Sequence, residues 1–131
     1  MGLTLVPWAK GKSLVWDFTC ADTFTPSYIS QTANHPGAAA RIRATAKNIK
    51  FHFLKERFHF IPIAIETFGV YGLEADKFIS ALGDRLKVLT KDKRSLAFLK
   101  QRISSAIQRG NAAAVLGTLP SGKGFTEIFN L

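Results

Sequence analysis

Apolar and polar residues alternate over Ser13–Thr19, with Leu14, Trp16 and Phe18 facing one way and Val15, Asp17 and Thr19 the other. That period of two predicts a strand. Leu3–Trp8 ahead of it is short, apolar and β-prone. Ala9-Lys10-Gly11-Lys12 between them is a turn signal, so the two strands make a hairpin, with Gly11 supplying the backbone freedom. Ala21–His35, rich in Thr and Ser and broken by Pro26, reads as a loop. From Pro36 the period lengthens. Proline suits a first helical position, and Asn34 or His35 is placed to cap. Ile42, Ala46, Ile49 and Phe53 recur at helical spacing and are expected to form the buried stripe. Arg43, Lys47 and Lys50 form a basic row about 100° round from that stripe, flanking the buried edge.

Phe58–Glu66 is nearly apolar throughout, as suits a strand covered on both faces. Pro62 inside it argues for an edge or a bulge. Gly69–Gly72 is a turn. Leu73–Leu89 is amphipathic, with Phe78, Ile79, Leu82, Leu86 and Leu89 expected inside; Glu74 and Asp76 in its first turn and Arg85 and Lys87 near its end suit the helix dipole. Arg94–Arg109 is a further helix with a Leu96, Leu99, Ile103 and Ile107 stripe, ending at Gly110-Asn111 or running on to Leu116. The order is β-β-α-β-α-α, an α/β domain with a small mixed sheet. The unit Ser13–Thr19, Gly37–Lys55, Phe58–Glu66 reads as a βαβ crossover, which makes its two strands parallel neighbours. Their carboxyl ends then share one rim, with Asp17 near one end and Glu66 at the other.

The chain has 131 residues, 47% hydrophobic and 21% charged, which is ordinary for one globular domain. Residues 1–117 are expected to form it, with 118–131 as a tail. No apolar run approaches the roughly 18 residues of a membrane span, so no membrane partner is expected. The opening residues lack the pattern of a signal peptide and read as if already inside a domain. A single cysteine, Cys20, excludes an internal disulfide framework and a Cys-rich zinc site; it fits a reducing, intracellular compartment, with a small buried thiol as the default. Lys and Arg number 18 against 9 acids, a net charge of +9 that attracts polyanions, DNA or RNA first. The charge is concentrated: Gly37–Phe60 holds six basic residues and one acid, and Arg85–Arg109 holds eight and one.

Asp17 is an acid in an otherwise hydrophobic strand, and a half-buried carboxylate needs a cation, a metal or donors. The plain reading is a partner for a nearby Lys or loop amide. The functional one is a Mg²⁺ ligand, with Glu66 as a second carboxylate, although a strand-end acid is more often simply solvated. Lys47 and Lys50 are candidates to stabilise charge on a phosphate during cleavage; as surface lysines they also fit a plain solvated helix face. Gln101, Arg102, Ser105, Gln108 and Arg109 give the last helix a polar surface able to track a nucleic-acid backbone, and equally compatible with plain solvent exposure. Trp8, Trp16 and Tyr28 can stack on bases, but aromatic residues in strands are more often core. Gly117–Gly124 nearly spells a phosphate-binding loop but ends in Gly124 where Mg²⁺ needs a hydroxyl, so it is set aside. His35, His52 and His59 show no metal spacing.

Four blocks in order, Leu3–Cys20, Ala46–Phe51, Phe60–Gly69 and Gln101–Ala112, resemble the C-terminal, restriction-endonuclease-like region of reverse-transcriptase-like retroelement proteins of animal genomes. The resemblance reaches to about Pro120. It implies a PD-(D/E)XK-type fold in which Asp17 is the motif's second acid and holds Mg²⁺. Thr19 stands where that motif has its lysine, and Lys47 or Lys50 of the following helix is implied as the substitute. The implied reaction is nicking of DNA in the nucleus, in relatives where the domain is joined to a reverse transcriptase. The family reads Pro-Asp-Gly before the first strand; here Met1-Gly2 stands, with Met1 in place of the Asp. The expectation is therefore a truncated frame competent at most for weak DNA binding and not for cleavage; the alternative is a non-catalytic nucleic-acid-binding module that uses the two basic helices.

Overall fold

Residues 2–3 already lie in a sheet. The computed structural model describes residues 1–118, and in it β1 (Gly2–Leu3) runs antiparallel to β2 (Leu14–Ala21), pairing Gly2 with Trp16 and Leu3 with Val15. The expected hairpin is present, with Lys10 (φ 49°) and Gly11 (φ 74°) in the left-handed region that reverses the chain. Its first strand is far shorter than Leu3–Trp8, because Pro7 offers no N–H and Leu5 and Val6 have no sheet to face and stand exposed.

After β2 come a four-residue helix α1 (Ile29–Thr32), helix α2 (Ala38–Lys50), a 3-10 turn at His52–Glu56, β3 (His59–Glu66), α3 (Leu73–Thr90) and α4 (Ser95–Gly117). The architecture is mixed α/β: among the described residues, a three-stranded mixed sheet of order β1-β2-β3 with four helices. β2 and β3 are parallel neighbours as the crossover reading required, from Leu14 opposite His59 to Ala21 opposite Glu66. Pro62 sits on an edge strand. The N–H groups of His59 and Thr67 bond to β2, whereas Ala64 and Glu66 bond outward to Gly72 and Val70. Even-numbered positions of β3 therefore face the outer edge, where the missing N–H of Pro62 leaves no gap in the ladder.

α2 lies across β2 and β3 on the side that carries Val15, Asp17, Pro62 and Ala64. Its contact face differs from the expected one. Ala38, Ala39, Ala40 and Ala44 are buried, and Ala40, Ala44 and Ala64 form one cluster. Ile49 and Phe53 are 74% and 64% exposed. Helix and sheet approach so closely that only methyl groups fit between them, and the Ile/Phe stripe is turned to the opposite side. The cap also differs. Neither Asn34 nor His35 caps; α2 begins after Gly37 at φ 84° with no side-chain cap from its own neighbourhood.

α3 matches its expected span, and α4 passes through Gly110-Asn111 to Gly117. On α3 it is Ala75, Ile79 and Gly83 that are fully buried, whereas Leu89 is exposed. At Gly83 a Cβ would lie 2.5 Å from Leu96 Cδ1, so glycine is what lets α4 cross α3 this closely. No helix among the described residues is long and apolar enough to cross a membrane. The phosphate-loop-like run lies outside the described residues after Thr118.

Candidate functional site

The expected strand Ser13–Thr19 extends to Ala21, and this moves Asp17 from a strand end to mid-strand, opposite Pro62. Its side chain, 13% exposed, points to the α2 side of the sheet. Lys47 Nζ lies 2.7 Å from Asp17 Oδ2, and the Met1 amine lies 3.8 Å from Oδ1. A short, charge-assisted contact of this kind satisfies a carboxylate that would otherwise be costly to hold in an apolar strand. Lys47 reaches it because Ala44 brings that part of α2 down onto the sheet. The strand acid and the first helix's ammonium group thus meet over the α2 face in mid-sheet, and not at the carboxyl rim where the strand ends were expected to place them.

Lys50 does not join that pair. It is exposed, with Nζ 5.3 Å from the Phe51 ring centroid, while Lys47 Nζ is 5.7 Å from the same ring. Arg43 is also exposed, and among the described residues neither Arg43 nor Lys50 has an acidic partner. The row was expected to flank an Ile/Phe stripe that faces away from the sheet; instead Lys47 lies over the sheet next to the alanine face, and Arg43 and Lys50 lie outward of it. Two further lysines, at the other end of β2 from its carboxyl edge, meet each other and were missed from sequence. Lys12 Nζ donates to the Lys55 carbonyl at 3.4 Å, which joins the hairpin turn to the 3-10 turn after α2. The signal for Lys12 was its place in a tight turn at the start of β2, opposite the start of a parallel neighbour.

Glu66 is not beside Asp17. It pairs with Ala21, four residues further along the ladder, a separation of roughly 13 Å. It is not a solvated strand end either, being only 2% exposed. Oε1 accepts from the backbone N–H groups of Ala39 at 3.1 Å and Ala40 at 3.4 Å, and Oε2 accepts from Thr23 Oγ1 at 3.2 Å. Glu66 is therefore the N-terminal cap that α2 lacks locally, supplied from the next strand; its charge also suits the positive end of the helix. Its oxygens are occupied by donors. Asp17 and Glu66 as arranged do not form a Mg²⁺ site between them, and among the described residues there is no group of three His, Cys, Asp or Glu side chains able to hold a metal ion.

Gln101, Arg102, Gln108 and Arg109 are all exposed on α4. α4 stands over the face of the sheet that carries Phe18 and Cys20, so these residues and Lys47 are on opposite faces. The two basic segments are two surfaces, not one. Trp8 is clamped: the Arg85 guanidinium lies 3.5 Å from its ring centroid and donates to its carbonyl at 2.7 Å, with Phe78 against the ring at 5.4 Å. Trp16 packs so tightly on Gly2 that a Cβ there would fall 2.0 Å from the indole. Tyr28 is half-buried ahead of α1. The tryptophans are structural in this arrangement. His59 Nε2 is 2.8 Å from the Ala9 carbonyl, whereas His35 and His52 are exposed. Cys20, expected to be buried, is exposed; partial burial first, and the nearby Asp22 second, push its thiol above the usual range.

Comparison of the chain with protein-family models, with curated proteins and with solved structures returns no match.

Proposed function

We propose that this chain is a restriction-endonuclease-like, DNA-binding domain of retroelement origin that holds the phosphate backbone along the exposed edge of α2 and does not itself cleave. The observation that carries the reading is the 2.7 Å contact between Lys47 and Asp17, with Arg43 and Lys50 exposed on the same helix edge. The strand acid and helix amine that the family resemblance pairs are adjacent. The flanking cations add the sequence-independent attraction to phosphates. Cleavage is not supported. Asp17 is paired with Lys47, and both oxygens of Glu66 are engaged by donors about four residues further along the ladder, so no two carboxylates converge on one Mg²⁺ position.

The test is binding of a fluorescent DNA duplex at a series of salt concentrations, alongside a supercoiled-plasmid assay with Mg²⁺. Binding should weaken steeply with salt, and Arg43→Ala with Lys50→Ala should lower the slope of log K against log salt by about 2. Asp17→Ala should leave binding intact, and no nicking should be seen with either protein. Salt-independent or absent binding would remove the DNA reading. Mg²⁺-dependent nicking abolished by Asp17→Ala would show that the domain is a working nuclease.

A further inference from the structure

β1 covers only the first part of β2. Beyond the pairs at Val15 and Trp16, its last link is Thr4, which bonds to Leu14 through both its N–H and its hydroxyl. The carbonyls of Ser13 and Ala21 accept bonds from the β3 side, so odd positions of β2 turn toward β3 and even positions turn outward. The N–H and C=O groups of Phe18 and Cys20 therefore face an edge that β1 does not reach. Among the described residues nothing bonds to them.

The side chains of the same two residues are exposed, Phe18 by 53%. They floor a groove of about 660 Å³ whose far wall is α4, through Ile103, Ala106, Ile107 and Ala114. Arg102 and Arg109 are exposed about 100–120° round the helix from Ile103, on one flank of that wall. A free strand edge beside an apolar groove fits an extended polypeptide, which supplies main-chain bonds at the strand repeat and alternate side chains for the groove. Nucleic acid has no such repeat of amide donors and carbonyl acceptors. A second copy would bring another net charge of +9 to the same place.

We propose that the free edge of β2 and the adjoining groove dock an extended segment of a partner protein, antiparallel to β2, with apolar residues at alternate positions and carboxylates beside Arg102 and Arg109. This surface is on the opposite face from Lys47 and stands independently of the DNA reading.

The experiment uses the full chain and a synthetic nine-residue peptide that alternates valine with threonine and ends in two glutamates. Saturating peptide should slow amide exchange at Phe18 and Cys20, and alkylation of the Cys20 thiol, by about tenfold each. The same peptide N-methylated at alternate residues should protect neither. Phe18→Asp should weaken binding about tenfold or more with an unchanged unfolding midpoint, and Arg102→Glu with Arg109→Glu should shift preference to a lysine-ended peptide. Any of the following overturns the proposal: no protection at about 1 mM peptide; equal protection by the N-methylated peptide; protection that rises with protein concentration alone; protection already present and lost on removing residues 119–131; or protection by duplex DNA and not by peptide.

Discussion

The two faces of the sheet are finished differently. On one, α2 lies close over Ala64, with alanines at the contact, an ion pair at Asp17 and a buried carboxylate at Glu66. The two carboxylates in that layer both have partners inside it. On the other, Phe18 and Cys20 remain exposed and α4 stands off across a groove. The first face is built to hold one geometry, and the second retains room for something else. The same residue types therefore carry different weights on the two sides. A carboxylate on the α2 side holds the fold together, and a phenylalanine on the α4 side does not.

Substitutions should separate the faces by size. Glu66→Ala should lower the unfolding free energy by about 3 kcal/mol in urea titration, since it leaves the N–H groups of Ala39 and Ala40 at the start of α2 without their acceptor inside the protein. Ala40→Leu should cost about 2 kcal/mol by overpacking a position with no spare volume. Asp17→Ala should cost about 1 kcal/mol or less, because Lys47 is partly accessible and can turn to water. Phe18→Asp on the open face should stay within about 0.5 kcal/mol of wild type. A Phe18→Asp cost equal to that of Glu66→Ala would erase the distinction. The smallest effect concerns pH. With the Cys20 thiol raised, its alkylation rate should reach half its plateau at a higher pH than a free cysteine does. Asp22→Asn should move that midpoint down only part of the way, because burial is the larger cause.

Local pattern was enough for much of the frame. The turn at Gly11, the parallel pairing of β2 with β3, the edge position of Pro62 and the span of α3 follow from period, turn residues and crossover geometry. The meeting of Asp17 with Lys47 was not readable from the expected Ile/Phe stripe: Lys47 reaches the sheet because the alanine face of α2, and not Ile49, lies against it. The rest depended on how close elements come. Hydrophobicity alone selects Ile49 and Phe53 as the inner stripe of α2, but the gap over Ala64 admits only alanine. Leu89 reads as core and is exposed because α3 extends past what it packs on. Glu66 sits at a strand end, where acids are normally solvated, and nothing in its neighbours announces a helix terminus 27 residues back in the chain.

That long-range cap also bears on the order of folding. A helix whose opening turn is closed by its own serine or aspartate can form on its own within microseconds. α2 has no such residue, so its first turn gains its acceptor only when β3 arrives. Strand and helix should therefore be structured to the same degree in the folding transition state, as one nucleus and not as a preformed helix awaiting a sheet.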